Sequence, residues 1–147
     1  ISTMLVILIF LLIQTSFAHS LNNEQNKEGS LRVIITGFAN DEGNCRFALD
    51  NTEYVYESED SVFIGKVLPI INNTVVIKID SLPHGYYAVK VFHDENSNEE
   101  IDTNFLGIPT EDYGYSNNAS AWFGPPSWEN AKFLFDKKDM TLEISVD

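Results

Sequence analysis

The residues best placed to do chemistry are the oxygen-bearing side chains of one short run. Asp94, Asn96, Asn98, Glu100 and Asp102 recur at every second position of His93-Asp94-Glu95-Asn96-Ser97-Asn98-Glu99-Glu100-Ile101-Asp102. A loop that curls around a hard cation turns such groups inward and supplies backbone carbonyls between them, which is how Ca²⁺ is held. The opening D-x-N-x-N has calcium-loop spacing, with Glu100 able to offer its carbonyl and Asp102 a further carboxylate. An EF-hand would also need Gly at Glu99 and a bidentate Glu at Phe105, and neither is present. The expected cofactor is therefore Ca²⁺ in a shallower loop, bound at ~10⁻⁴–10⁻³ M as in extracellular modules. The opposing reading is a solvated hairpin in which Asp94 and Asn96 hydrogen-bond their own backbone in Asx-turns. Bunched carboxylates repel one another, and that cost favours a cation. His93 suits softer metals, and the expectation is a strand-end histidine that holds the loop backbone by a hydrogen bond.

A second set of candidates follows the loop. From Leu106 to Trp128 the chain has little regular pattern, yet it carries Glu111, Tyr113, Tyr115, Asn117, Trp122 and Trp128. A long irregular stretch in a compact domain is usually functional or packed down as an Ω-loop. Exposed aromatics beside Asn117 and Glu111 could stack on sugar rings or grip a peptide. Alternatively, they form a lid over one open end of the domain. Catalysis has less behind it. Glu111 with Asp112, or Asp94 with Asp102, pair carboxylates as hydrolases do, but an acidic chain produces such pairs by chance. His19, His84 and His93 form no nucleophile triad with a serine or with Cys45, and there is no phosphate-cradling glycine loop and no zinc spacing. The expectation is a non-enzyme, with a carboxylate-pair hydrolase as the distant alternative.

The elements that must position these groups read as strands. Leu31–Phe38, Cys45–Leu49, Thr74–Asp80, Tyr86–Phe92, Ala131–Phe135 and Met140–Val146 are β-branched, aromatic or alternating, with Thr52–Tyr56 and Val62–Leu68 as weaker candidates. Turn clusters such as Asn40-Asp41-Glu42-Gly43-Asn44 and Asp136-Lys137-Lys138-Asp139 separate them. No stretch sustains a helical period and there is no internal repeat. The pattern predicts an all-β fold, an antiparallel β-sandwich of about seven strands.

The chain has 147 residues. Leu5–Ile13 is an uncharged apolar core followed by Ser16 and Ala18, the small residues of a signal-peptidase site. It is short against the roughly 20 residues of a membrane span. The expected organisation is a signal peptide at 1–18, a polar tether at 19–29 and one domain at 30–147. With no cysteine after the cleavage site, a lipid anchor is not expected. The destination is secreted or periplasmic, without membrane insertion after cleavage. The formal charge of −13 argues against nucleic acid and anionic membranes as partners and favours cations. Cys45 is the sole cysteine, so no intrachain disulfide forms, and a buried inert thiol is expected. Asn72-Asn73-Thr74 and Asn118-Ala119-Ser120 have the form of glycosylation sequons.

Several motifs in one order carry a family resemblance. They are Leu82-Pro83-x-Gly85-Tyr86-x-Ala88-Val89, His93-Asp94-Glu95-Asn96-x-Asn98 with Asp102, Leu106-Gly107-Ile108-Pro109, Glu111, Tyr113-Gly114-Tyr115-Ser116-Asn117-Asn118, and Gly124-Pro125-Pro126 before Trp128 and Ala131. Together they resemble the bacterial exported family catalogued as domain of unknown function 2141, across the whole domain. The resemblance implies an exported sandwich of immunoglobulin-like or transthyretin-like type, with no activity attached. The opening Leu82-Pro83-x-Gly85-x-Tyr87 also looks like carboxypeptidase regulatory domains and surface-protein stalk domains. The family pattern usually has Gly where this chain has Glu99. Apart from the resemblance, the residues lead to the expectation of a binding or structural module, with a sugar or peptide of the cell envelope or exterior as the ligand of the aromatic alternative.

Overall fold

A computed structural model describes residues 27–147. The expected signal peptide and most of the tether, residues 1–26, lie outside the described residues.

Period-two burial builds the fold. In β1 (Glu28–Thr36) Leu31, Val33 and Ile35 are buried, while Arg32 and Thr36 face out. In β2 (Asn44–Asp50) the inward set is Cys45, Phe47 and Leu49, and in β4 (Thr74–Pro83) it is Val75, Ile77 and Ile79. Strand side chains alternate sides, so each such set forms one apolar face. Between β2 and β4 lies β3 (Ile64–Leu68), and after β4 comes β5 (Gly85–Asp94). The short β6 (Tyr113–Tyr115) and β7 (Phe133–Phe135) follow, and β8 (Asp139–Ser145) closes the order.

The strands form two sheets. One is three-stranded, β4-β1-β8; the other is five-stranded, running β3-β2-β5 with β6 and β7 both on the far edge of β5. β6 pairs with Lys90–Phe92 and β7 with Gly85–Tyr87. Side chains from both sheets meet in one core that includes Leu31, Ile35, Leu49, Ile77, Val89, Phe135 and Ile144. Each such side chain contributes roughly 1.5–3 kcal/mol of apolar burial. Truncating Leu31, which is fully buried, to Ala would therefore cost about 2–5 kcal/mol.

The all-β expectation holds at the level of strands and sheets, with three corrections. First, β1 and β8 run parallel, with Ile35 opposite Ile144, so the pairing is not wholly antiparallel. Second, Thr52–Tyr56 is not a strand. Thr52 Oγ1 accepts a hydrogen bond from Val55 N at 3.2 Å, capping the short helix α1 (Glu53–Glu57). The cap satisfies a helix N–H that alternating sequence alone would leave unpaired. Third, residues 128–131 are a helical turn, α2 (Trp128–Ala131), so the strand expected from Ala131 begins only at Phe133. α1 and α2 pack on the outer side of the larger sheet, where Tyr56, Ala88, Trp128 and Ala131 form a second small core. Tyr56 Oη donates to Pro126 O at 2.8 Å, fixing the chain that leads into α2.

Candidate functional site: an Asp94-centred loop cluster

The loop starts where β5 stops. Asn44 is opposite Asp94 and Arg46 is opposite Phe92, so Arg46 and Asp94 are diagonal neighbours across β2 and β5. Arg46 Nε lies 2.6 Å from Asp94 Oδ2, and the Asp94 side chain is inaccessible to solvent. Burial alone pushes the Asp94 carboxyl up. The Arg46 hydrogen bond and charge, with the N–H groups of Glu99 and Asn98, outweigh burial and hold it below the usual carboxylate range. The same hydrogen bond raises the Arg46 guanidinium, against a smaller opposing effect of burial and with further support from Glu99.

Asp94 organises everything after it. Asn98 N donates to Asp94 Oδ1 at 3.0 Å and Glu99 N to Asp94 Oδ2 at 3.2 Å. Asn96 Oδ1 accepts from Asn98 N at 3.0 Å and Asn98 Oδ1 from Glu100 N at 2.9 Å, making two successive Asx-turns. The amide Nδ2 groups of Asn96 and Asn98 then donate to Asp102, at 2.6 and 2.9 Å. Asp94, Asn96, Asn98 and Asp102 are thus brought together, and Glu100 joins through its backbone N–H. Ser97 and Glu99 adopt left-handed backbone, at φ 59° and 76°. Glu99 bears the position that suits Gly, and its Oε1 reaches Arg46 Nη2 at 3.2 Å.

Glu111 pins the loop from behind. It is buried, and its Oε1 and Oε2 accept from Glu95 N at 3.0 Å and Asp102 N at 2.9 Å, near the loop's two ends. His93 is fully buried, with Nε2 2.7 Å from Glu42 O. A carbonyl only accepts, so Nε2 carries the proton. His93 therefore holds the backbone of the neighbouring 40–43 turn, not that of its own loop. Its Nδ1 makes no hydrogen bond to a described residue and faces Glu95 Oε1 at 3.6 Å and Asp112 Oδ2 at 3.8 Å. The 40–43 turn presses close: Gly43 has φ +63°, and a Cβ there would collide with Asp94 O. Among the described residues, no three or more His, Cys, Asp or Glu side chains are arranged to hold a metal ion.

Beyond Asp102 the chain makes a tight, hydrogen-bonded tip. Thr103 bridges to Pro109, and Asn104 Oδ1 accepts from Leu106 N at 2.9 Å and Ile108 N at 3.2 Å. Phe105 at that tip is 95 % exposed.

The aromatic candidates do not form one surface. Tyr113 and Tyr115 sit on β6, half-buried, with ring centroids 6.0 Å apart and planes at 74°, so they make no flat platform. Asn117 Nδ2 donates to the carbonyls of Asn130, Ala131 and Lys132. Trp128 is only 7 % exposed and packs 5.8 Å from Tyr56, whereas Trp122 is 96 % exposed. Arg46 and the buried Ser116 are the site residues that sequence reading misses. Ser116 Oγ donates to Ala131 O at 2.5 Å and accepts from Val89 N at 2.8 Å, tying the segment to β5. No local signal points to Arg46, because its partner depends on the register of β2 against β5. Cys45 is buried, and burial pushes its thiol up to about 12, as expected of an inert cysteine.

Fold and loop together define an all-β, two-sheet domain whose strand-end carboxylate organises an Asp/Asn loop. Over residues 33–143 the chain matches the family described as an uncharacterized protein conserved in bacteria (DUF2141), and it belongs to that family. No curated protein and no solved structure matches it.

Proposed function

We propose that the chain is an exported, non-catalytic β-sandwich of immunoglobulin-like or transthyretin-like type, acting as a binding or structural module in the periplasm or outside the cell. Ca²⁺ taken up weakly by Asp94, Asn96, Asn98, Glu100 and Asp102 stiffens the loop. The observation that carries this reading is the Asp94 carboxylate, which accepts from Asn98 N and Glu99 N as position one of a calcium loop does. The Asx-turns after it belong equally to a solvated hairpin, so the reading rests on the Asp94 contacts. Arg46 already offsets much of the Asp94 charge, which supports weak rather than tight affinity. Export is supported by the apolar Leu5–Ile13 run with Ser16 and Ala18. The carboxylates a hydrolase would use are engaged structurally: Glu111 on two backbone N–H groups and Asp94 on Arg46.

Thermal unfolding in chelator and in excess Ca²⁺, with Mg²⁺ as control, tests the ion. A Ca²⁺-specific rise that Asp102→Ala removes supports it; equal melts in all three conditions count against it. A second reading, recognition of a sugar or peptide by the aromatic segment, is favoured by the solvent-facing Trp122.

A further inference from the structure

A cavity of about 250 Å³ opens beside β6, lined by residues outside the acidic loop. Tyr113, Tyr115, Asn118, Ser120, Pro126 and Asp147 are among its lining residues. Its floor is set by the close approach of β6 to β8: a Cβ on Gly114 would lie 2.6 Å from Ser145 O. The turn at Ser116–Asn118 then carries the chain into the 119–126 loop that forms the opposite wall.

The chemistry of this wall is specific. The hydroxyls of Tyr113 and Tyr115 make no hydrogen bond to any described residue, and Tyr115, pushed up to about 12 by burial and by Tyr113, stays a protonated donor. Asn118 Oδ1 accepts from Ser145 N at 2.9 Å, which fixes the amide and leaves Nδ2 without a partner among the described residues. Among the described residues, no Lys, Arg or His lines the cavity, and Asp147 does, so an anionic ligand would be unpaired and repelled. The volume is below the roughly 300–1,000 Å³ of sites for drug-sized ligands, so it suits one ring, not a chain. Between the lining residues Ala121 and Gly124 stand Trp122 and Phe123, 96 % and 93 % exposed. Gly124, at φ +67°, makes the turn after them.

From this lining we infer that the cavity binds a single neutral sugar ring, with its hydroxyls met by Tyr113, Tyr115, Asn118 and Ser120. Aromatic rings stack on the C–H face of a sugar while polar groups fix its hydroxyls, which is the mixture found here. The inference rests on the recognition reading and not on the calcium loop.

The test is titration of the protein in chelator with the methyl glycosides of glucose, galactose, mannose and N-acetylglucosamine, and with glucuronate as the anionic control. Trp fluorescence and saturation-transfer NMR are the readouts. At least one neutral glycoside should bind with a dissociation constant on the order of 1 mM, the range open to so few ligand atoms. Tyr113→Phe and Tyr115→Phe should each weaken it several-fold, with melting temperatures unchanged. No saturable binding of any neutral glycoside, equal binding of glucuronate, or full affinity in Tyr115→Phe would each overturn the assignment. Work in chelator keeps its failure separate from that of the calcium reading.

Discussion

Arg46 Nε and Asp94 Oδ2 meet at 2.6 Å across β2 and β5, and this ion pair joins the larger sheet to the loop cluster. The guanidinium is partly exposed while the carboxylate is not. Removing the cation therefore strands an anion in a dry position, which is costlier than losing a surface pair. Arg46→Ala is expected to cost about 3–5 kcal/mol. Arg46→Lys should recover only part of that, since an ammonium has no second nitrogen for Glu99. Denaturant unfolding of the two variants measures this, and a loss under about 1 kcal/mol for Arg46→Ala would mean that the loop re-solvates Asp94 freely.

The depressed Asp94 carboxyl makes stability fall in acid. Its folded value lies below the unfolded one, about 3.9, so the native state binds fewer protons in this range. The stabilisation is fully present above the unfolded value and is lost as pH falls through the lower folded one. Chemical denaturation between neutral pH and acid should show that decline. Asp94→Asn should be less stable at neutral pH and flatter across the acid range. A variant curve parallel to the parent's would assign the acid sensitivity to other carboxylates.

Glu111 holds two loop N–H groups with its two oxygens, and substitution can separate shape from charge. Glu111→Gln keeps one acceptor and turns the other into an N–H facing an N–H. It should cost about 1–3 kcal/mol, the penalty of leaving a buried donor unpaired. The loss should appear as faster amide exchange at Glu95 and Asp102, with core amides of β2 and β5 affected less. Uniformly faster exchange would show that the loop and the sheets open as one unit.

Much of the sheet framework is legible in the sequence because alternation is a local signal. Leu31-Arg32-Val33 announces both its strand and its inner face, while Thr74-Val75-Val76-Ile77 announces only its strand, the exposed Val76 being as apolar as its buried neighbours. Thr52–Tyr56 reads as a weaker strand, and it is a capped helix anchored by Tyr56, because one hydroxyl bond and one packed ring outweigh a weak propensity. β6 escapes notice because Tyr113-Gly114-Tyr115 has no pattern of its own and exists through β5 and β8. The parallel pairing of β1 and β8 leaves no trace, since alternation is the same in either direction. In the loop, the oxygen spacing is legible and the Asx-turns follow from it. The Arg46 partner is not, since an outward Arg on a strand reads as solvated until the register places it diagonal to Asp94.

Glu99 offers a substitution in which two known effects oppose each other. At φ 76° a side chain costs about 1 kcal/mol or more relative to Gly. Its reward is the 3.2 Å contact with Arg46, and the Glu99 side chain is largely exposed, so that pair contributes only about 0–1 kcal/mol. Relief of strain should therefore match or exceed the lost pair, against a small entropic penalty for Gly in the unfolded chain. Glu99→Gly is expected to leave stability within about 0.5 kcal/mol of the parent, or to raise it slightly. If the loop takes Ca²⁺, the variant should also bind it more tightly, because the turn no longer resists closure. Measured unfolding with and without Ca²⁺ decides both points. A loss above about 1 kcal/mol would make the Arg46–Glu99 contact a true structural tie, and unchanged Ca²⁺ response would show that backbone strain at this position does not limit the ion.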